Sequence, residues 1–358
     1  MSSEPIPKTQ KAIVSESAEK GFQIKEIPVV QPKDLPLTQA LVKVLYTGVC
    51  HTDLHVINDD WPLKANRPCI AGHEGAGIIV ALPEGSGTKF KVGDHVGIKW
   101  IADSCNECSF CLAGDEPLCA NAQCSGLTVD GSFQQYCPAY LSQLSPIPKE
   151  LPLEQAAPIL CAGLTVYKAL KETGAKAGQY VALPGAGGGL GSLALQYAKY
   201  MGLSAIAIDT GDEKKALCEK LGAAAWVDFK KEKDLVAAIK AATPDGLGPK
   251  ACVVTSPKPE AYEQALNYLR PRGVCVAVGL PPTGANVKAD VFFTVVGQKT
   301  LKGSYVGNRL DTLEALQIAA DGHVKSSLVV QPMEKIHECF EKMEKGTLAG
   351  RIVLDMFA

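Results

Sequence analysis

The sequence predicts an α/β protein of two parts, one β-rich and one built on a doubly wound parallel sheet. Three observations predict this. Residues 11–50 read as short strands broken by proline-rich connections, and from about residue 178 strands and helices alternate. After about Gly303 the pattern changes again and ends on a strand, Gly350 to Asp355. At 358 residues the chain is long enough for two full cores.

In order, Lys11-Ala12-Ile13-Val14 and Ala40 to Leu45 read as strands, separated by Pro28, Pro32 and Pro36. Ala76 to Val80 continues the β pattern up to the turn at Gly93-Asp94-His95-Val96-Gly97. Residues 155–172 turn helical. Tyr180 to Leu183 is then a strand, followed by Gly185-Ala186-Gly187-Gly188-Gly189-Leu190-Gly191 and a helix from Ser192 to Met201. Ser204 to Ile208 is the next strand and ends at Asp209. Further units follow at Lys214–Leu221, Asp234–Ala241, Ala251–Thr255, Glu260–Leu269 and Gly273–Val278. That alternation is what makes a doubly wound parallel sheet.

Composition bounds the function classes. Apolar content of 46%, charge of 21% and 34 glycines describe a soluble globular chain. A net charge of −2 argues against nucleic acid or an anionic membrane as the main partner. No segment has the apolar length of a transmembrane helix. The stretch Met1 to Lys8 has no apolar run and the first arginine is Arg67, so neither a secretory nor a transit peptide is expected. With thirteen cysteines and no Asn-x-Ser/Thr acceptor, the expectation is reduced thiols in a cytosol, with clustered cysteines marking metal.

The chemistry gathers on Cys50-His51-Thr52-Asp53-Leu54-His55. Downstream, His73-Glu74 offers an imidazole and a carboxylate, and Cys161 offers a second thiolate. Cys50, His73 and Cys161 form a Cys2His set, which leaves one position of a zinc tetrahedron open. Two thiolates and a neutral imidazole would leave the ion formally neutral, a milder Lewis acid than three histidines give. Trp61 follows this stretch closely and Trp100 lies in Ile98-Lys99-Trp100; each fits a core aromatic or a pocket wall.

Cys105, Cys108 and Cys111 stand two residues apart and Cys119 closes the set. One loop with that spacing can fold round a tetrahedral ion and fill all four positions, making a closed, structural zinc site. An iron–sulfur cluster also accepts four cysteines. The β-rich surroundings, with no other redox motif, favour zinc. The other seven cysteines (Cys69, Cys124, Cys137, Cys218, Cys252, Cys275 and Cys339) are expected as buried small hydrophobes.

The glycine loop lies between strand and helix, where backbone N–H groups and the helix dipole can face a pyrophosphate. The match to G-x-G-x-x-G is imperfect, with Ala186, Gly188 and Gly191 at the three key places. Asp209 ends the second strand, where a carboxylate binds ribose hydroxyls and repels a 2′-phosphate, and Thr210-Gly211 follow without an arginine. That favours NAD over NADP. Lys214 fits a further ribose contact or a solvated helix lysine.

Together these residues carry a resemblance across nearly the whole chain. Cys50 to His55, Ala71-Gly72-His73-Glu74-Gly75, the four-cysteine loop and Asp130-Gly131-Ser132-Phe133-Gln134-Gln135-Tyr136 are similar to stretches of the zinc-dependent alcohol dehydrogenases of the medium-chain family, fungal (yeast-type) branch. So are Ile159-Leu160-Cys161-Ala162-Gly163, Gly303-Ser304-Tyr305-Val306-Gly307-Asn308-Arg309 and Glu341-Lys342-Met343-Glu344-Lys345-Gly346.

The resemblance implies a GroES-like zinc-binding catalytic domain at residues 1–162 and 303–358 and a Rossmann NAD-binding domain at 163–302. It implies NAD and two zinc ions per chain, a small primary alcohol or aldehyde as substrate, and a homotetramer. Cys50, His73 and Cys161 would hold the catalytic zinc, with Glu74 near enough to replace a ligand transiently. Thr52 would accept the alcohol proton and pass it through the ribose to His55, while Asp53 holds His73. His51 and Arg351 would meet the cofactor phosphates with the glycine loop, and Val278, Leu280, Ser304 and Val306 would line the nicotinamide half. Trp61 and Trp100 would wall the alcohol pocket. Gly187 stands where yeast relatives carry Ala, a change expected to be mild, and Leu280 where they tend to carry Met. A chain that kept this fold and lost catalysis should lack a ligand of the open set, and all three are present.

Overall fold

The computed structural model describes residues 5–281, 283–345 and 350–358. Met1–Glu4 and Gly346, both quoted above, lie outside them. Two compact units divide the chain: Met1–Cys161 with Gly307–Ala320 and Leu328–Ala358, and Ala162–Val306 with Asp321–Ser327.

The first unit is organised on the strand Gln39–Val49, rich in Val and Leu and buried along most of its length. Gly75–Ala81, Tyr136–Tyr140 and Arg351–Asp355 all pair with it antiparallel. His95–Ile98 and Ser145–Pro146 extend the sheet on one side and Leu328–Pro332 on the other. A smaller sheet, ordered Gly21–Pro28, Thr9–Ser17, Cys69–Ile70, packs with it round a core that includes Ile13, Val42, Ile79, Phe133 and Phe340.

This unit is less purely β at its start than the sequence suggests. The metal stretch is a helix, His51–Asn58, with Cys50 as its N-cap. Asp53 at the third helical position accepts the Cys50 N–H at 2.9 Å, so a thiol residue opens what Ser or Thr usually opens. The helical region of residues 155–172 is also interrupted. Leu153–Pro158 passes into a π-turn, Ile159–Gly163, before Leu164–Glu172 resumes as α-helix. Pro158 supplies no N–H, and the wider turn carries Cys161.

The second unit is a six-stranded, wholly parallel sheet. Its order is Ala225–Asp228, Ser204–Asp209, Tyr180–Pro184, Ala251–Val254, Val274–Ala277, Thr300–Gly303. The order reverses between Tyr180–Pro184 and Ala251–Val254, the switch point at which such sheets bind ligands. The inner strands are almost continuously apolar, as burial on both faces requires.

Ala225–Asp228, Thr300–Gly303 and the helix Val291–Val296 are elements beyond those expected from the sequence. That helix is made of strand-forming residues, and Asp290 imposes it by accepting the Phe293 N–H at 3.1 Å. The seven cysteines outside the clusters are buried except Cys124, which is half-buried in the short strand Gln123–Cys124.

Gly191 sets how closely the helix Gly189–Tyr200 meets the loop before it, since a Cβ there would lie 2.2 Å from the Gly185 carbonyl oxygen. Gly191→Ala should cost about 2 kcal/mol by overpacking. Thermal unfolding of the variant checks this; an unchanged Tm would show that the loop relaxes freely.

Candidate metal and cofactor sites

Cys50, His73, Glu74 and Cys161 are all buried, and one ligand atom of each lies within 4.8 Å of the others. The helix N-terminus brings Cys50, the π-turn brings Cys161, and the start of the strand Gly75–Ala81 brings His73 and Glu74. Asp130–Tyr136 braces the segment leading to His73. Gly131, Ser132 and Phe133 donate their N–H groups to Ile70, Gly72 and Ala71 oxygens, and Asp130 Oδ1 accepts the Ile70 N–H at 3.0 Å.

Asp53 is 2% exposed and accepts from three donors: Cys50 N, Gly72 N at 3.1 Å and His73 Nδ1 at 2.8 Å. An ionised carboxylate can only accept, so His73 carries its hydrogen on Nδ1 and turns Nε2, 3.2 Å from Cys161 Sγ, toward the thiols. A hydrogen bond from the Cys161 thiol holds Cys50 well below the usual thiol range, and Cys161 is pushed up in turn. One member of the pair is thus a ready thiolate.

Glu74 is fully buried and paired with the Arg351 guanidinium. Burial raises Glu74 to about 7 against the opposing pull of Arg351. Its Oε2 has no hydrogen-bond partner. Gly48 makes room for that oxygen, because a Cβ there would sit 1.8 Å from it. Arg351, which the resemblance assigns to the cofactor phosphates, is 5% exposed and its guanidinium lies on Glu74.

Both tryptophans lean on residues of this site. Trp100 meets His73 edge-on with ring centroids 5.2 Å apart, and Trp61 stacks on His55 at 4.8 Å. Thr52 is half-buried on the first helical turn and His51 is exposed. Two soft thiols, an imidazole with a fixed tautomer and a buried carboxylate oxygen without a partner suit a zinc ion with one exchangeable position.

The second cluster joins Cys105, Cys108, Cys111 and Cys119, again within 4.8 Å of one another. Backbone N–H groups of Glu107 and Cys108 hold Cys105 down to about 7. Four thiols with no water position suit a closed site. The anchors of this lobe carry no signal of that role in the sequence. Glu116, 1% exposed, accepts the Arg309 N–H at 2.7 Å, and Asn308 Nδ2 donates to Gly114 O at 2.7 Å. Lys99 is also buried, donating to Gln143 O at 2.6 Å and Oε1 at 2.8 Å, while burial pulls it down to about 7. In the sequence, Asn308 and Arg309 stand out only as part of a resemblance motif, and Lys99 only as a neighbour of Trp100.

In the second unit, Gly188 caps the helix Gly189–Tyr200 and Leu190 is half-buried beside it. Asp209 ends its strand with Oδ2 on the Gly187 N–H at 2.9 Å and Oδ1 on Lys214 Nζ at 3.1 Å. A Cβ at Gly187 would lie 2.7 Å from the Lys214 Cβ, so alanine there would force the lysine or its helix to move. The glycine is therefore a closer constraint than the mild change expected. Val278 and Ser304 follow the ends of Val274–Ala277 and Thr300–Gly303. Ser304 Oγ is buried without a partner, Val306 has φ 43°, and Leu280 is 54% exposed.

Comparison with known proteins agrees with this chemistry. The family model for the alcohol dehydrogenase GroES-like domain matches residues 37–149, and that for zinc-binding dehydrogenase matches residues 189–321. Alcohol dehydrogenase 1 of Emericella nidulans is 53% identical over 98% of this chain and 99% of its own. The alcohol dehydrogenase of Schizosaccharomyces pombe is 46% identical over 98% and 99%. Among solved structures, the alcohol dehydrogenase of Aeropyrum pernix superposes with a TM-score of 0.87 at 29% identity, covering 96% of this chain and 99% of that one. Acetophenone reductase from Geotrichum candidum, in complex with NAD, gives 0.82 at 26% identity, covering 98% of each. With its two thiol clusters, its GroES-like part and its parallel-sheet part, the chain belongs to the zinc-dependent alcohol dehydrogenases of the medium-chain family, in their fungal branch.

Proposed function

We propose that the protein catalyses reversible hydride transfer between small primary alcohols, ethanol-like in size, and NAD. The observation that carries this is the buried Cys50–His73–Cys161 set with Glu74 beside it and Asp53 behind His73. When bound, zinc supplies a Lewis acid for the substrate oxygen and the nicotinamide supplies the hydride acceptor. The chain's own residues do the rest. Cys50 and Cys161 offer thiolates, and His73 offers the nitrogen that Asp53 fixes. Glu74, with one buried carboxylate oxygen that has no partner, is the group able to take a ligand place briefly. Thr52 takes the hydroxyl proton of the alcohol, and His55, on the same helix and 26% exposed, delivers it to solvent. Trp61 and Trp100 restrict the space beside His55 and His73.

Residues 163–302 would hold the cofactor and residues 1–162 with 303–358 the metals. Asp209 and Lys214 would bind the adenosine ribose at the switch point, with Gly185 to Gly191 on the pyrophosphate and His51 as a further phosphate contact; Arg351 would join them only by turning from Glu74. Val278, Leu280, Ser304 and Val306 would lie along the nicotinamide half. The second zinc would be closed in by Cys105, Cys108, Cys111 and Cys119. All six metal-facing cysteines must stay reduced, which suits a cytoplasmic location.

A homotetramer is supported by the helix Val291–Val296, whose Val291, Phe292, Phe293, Val295 and Val296 are each at least 60% exposed. Next in the chain comes Thr300–Gly303, a strand exposed along its length at the sheet edge. An apolar face with a bare edge is costly in water and calls for a second copy. NADH absorbance with a panel of primary and secondary alcohols tests the whole reading; no turnover of any alcohol would end it.

Metal analysis should find two zinc ions per chain, of which mild chelation removes one together with activity. Cys105→Ala should lower Tm and assembly far more than turnover, since closed zinc sites contribute folding free energy, on the order of 10 kcal/mol in small peptides. One zinc in active protein, or a stable and inactive Cys105→Ala, would contradict this.

Asp209→Gly should erode the preference for NAD over NADP by about 2–3 kcal/mol, the scale of a charged hydrogen bond. The ratio of kcat/KM for the two cofactors reads it directly. Trp61→Leu should raise butanol or branched-alcohol turnover at least ~10-fold relative to ethanol, with zinc content unchanged. An unchanged ratio would remove Trp61 from the pocket.

A further inference from the structure

The turn that ends the metal-bearing helix closes round His55. Asp59 adopts the left-handed conformation, φ 59°, and donates its N–H to His55 O. The Asp60 N–H approaches the same carbonyl at 3.4 Å, so the chain doubles back along the last helical turn. That reversal sets Asp60 Oδ1 at 2.7 Å from His55 Nδ1. It also lays the Trp61 indole on the imidazole, with centroids 4.8 Å apart and planes 20° from parallel. Lys64, the cation of this turn, is engaged elsewhere: its Nζ pairs with Asp59 Oδ2 at 3.3 Å and donates to Asp59 O at 2.7 Å.

We propose that Asp60 is a positioning residue for proton release, holding His55 in the one tautomer and orientation that lets Nε2 accept. The inference rests on the reading of His55 as the outer end of the relay. A carboxylate accepts and does not donate, so the His55 hydrogen sits on Nδ1 and the lone pair on Nε2. A proton leaving the alcohol is taken up at Nε2 and lost from Nε2 to water, while the Nδ1–H stays in place throughout. The transient positive charge on the ring is met by the Asp60 carboxylate on one edge, and the indole face keeps the ring from turning. Asp60 thus governs the tautomer of the imidazole, and Trp61 governs its plane.

An exposed ion pair in this position would otherwise contribute little to stability and nothing to chemistry. The two cases separate cleanly. The experiment measures kcat/KM for ethanol with NAD in wild type, Asp60→Asn, Asp60→Glu, His55→Gln and the Asp60→Asn/His55→Gln double variant, with zinc content and Tm for each. Asp60→Asn and His55→Gln should each lower kcat/KM about tenfold with zinc content intact, less than the roughly 10²–10⁴-fold of a group that meets the reacting atoms directly. The double variant should fall within about twofold of His55→Gln alone, because a residue acting through His55 has nothing left to act on. Asp60→Glu, which keeps a carboxylate that can only accept where the amide can also donate, should recover to within about threefold of wild type. Unchanged turnover in Asp60→Asn, or single losses that multiply in the double variant, would overturn the proposal. Unchanged turnover in His55→Gln would instead remove the relay reading itself, and the role of Asp60 with it.

Discussion

The catalytic end of the first unit depends on the carboxylate of Asp53. It closes the helix N-terminus on Cys50, holds the Gly72 backbone and fixes His73, with both oxygens occupied and 2% exposure. A buried charge is tolerated only when its partners are present. Here all three partners are either a metal-facing residue or the residue before one. Folding the helix and orienting the ligands are therefore one event, stabilised by one group. The site comes out preorganised because its support is also a helix cap.

Glu74 and Arg351 add a second constraint of the same kind. The last strand, Arg351–Asp355, pairs with Gln39–Val49 in a register that sets Val353 opposite Gly48. Gly48 is also where the Glu74 carboxylate needs room. The C-terminal strand thus delivers a buried guanidinium to the one acid of the metal cluster. Burial pushes the Glu74 carboxyl up while Arg351 pulls it down, so the two groups are tuned against each other.

How much was legible in the sequence follows how local each feature is. The four-cysteine loop could be read from spacing alone, because its ligands sit on one short stretch of chain. The parallel sheet could be read from its apolar strands and the glycine turn. The open set could not be read from spacing: His73 and Cys161 are 88 residues apart, so the set rests on ligand chemistry and on the resemblance. The helix His51–Asn58 escaped because its cap is a cysteine, a residue not counted among helix openers. Val291–Val296 escaped because its composition favours strand, and one aspartate decides otherwise. Glu116 with Arg309 escaped because the partners are 193 residues apart, and the cysteine spacing that marks the loop says nothing of the acid inside it.

The same contrast in distance gives the two thiol clusters different physical characters. The cysteines of the local loop close only short segments, so a metal bound there loses little chain entropy and can order the lobe by itself. The lobe then needs tethers rather than a core, and it has them in Glu116 on Arg309 and Asn308 on Gly114. Its exposed Phe110, Leu112 and Leu118 show how little apolar burial holds it. The open cluster has the reverse character. Its donors arrive on a helix start, a strand start and a π-turn, and the sheet must form before they meet. One cluster can help make the fold, and the other is made by it. Only the second can leave a coordination position unfilled, since its geometry is set by the protein and not by the ion.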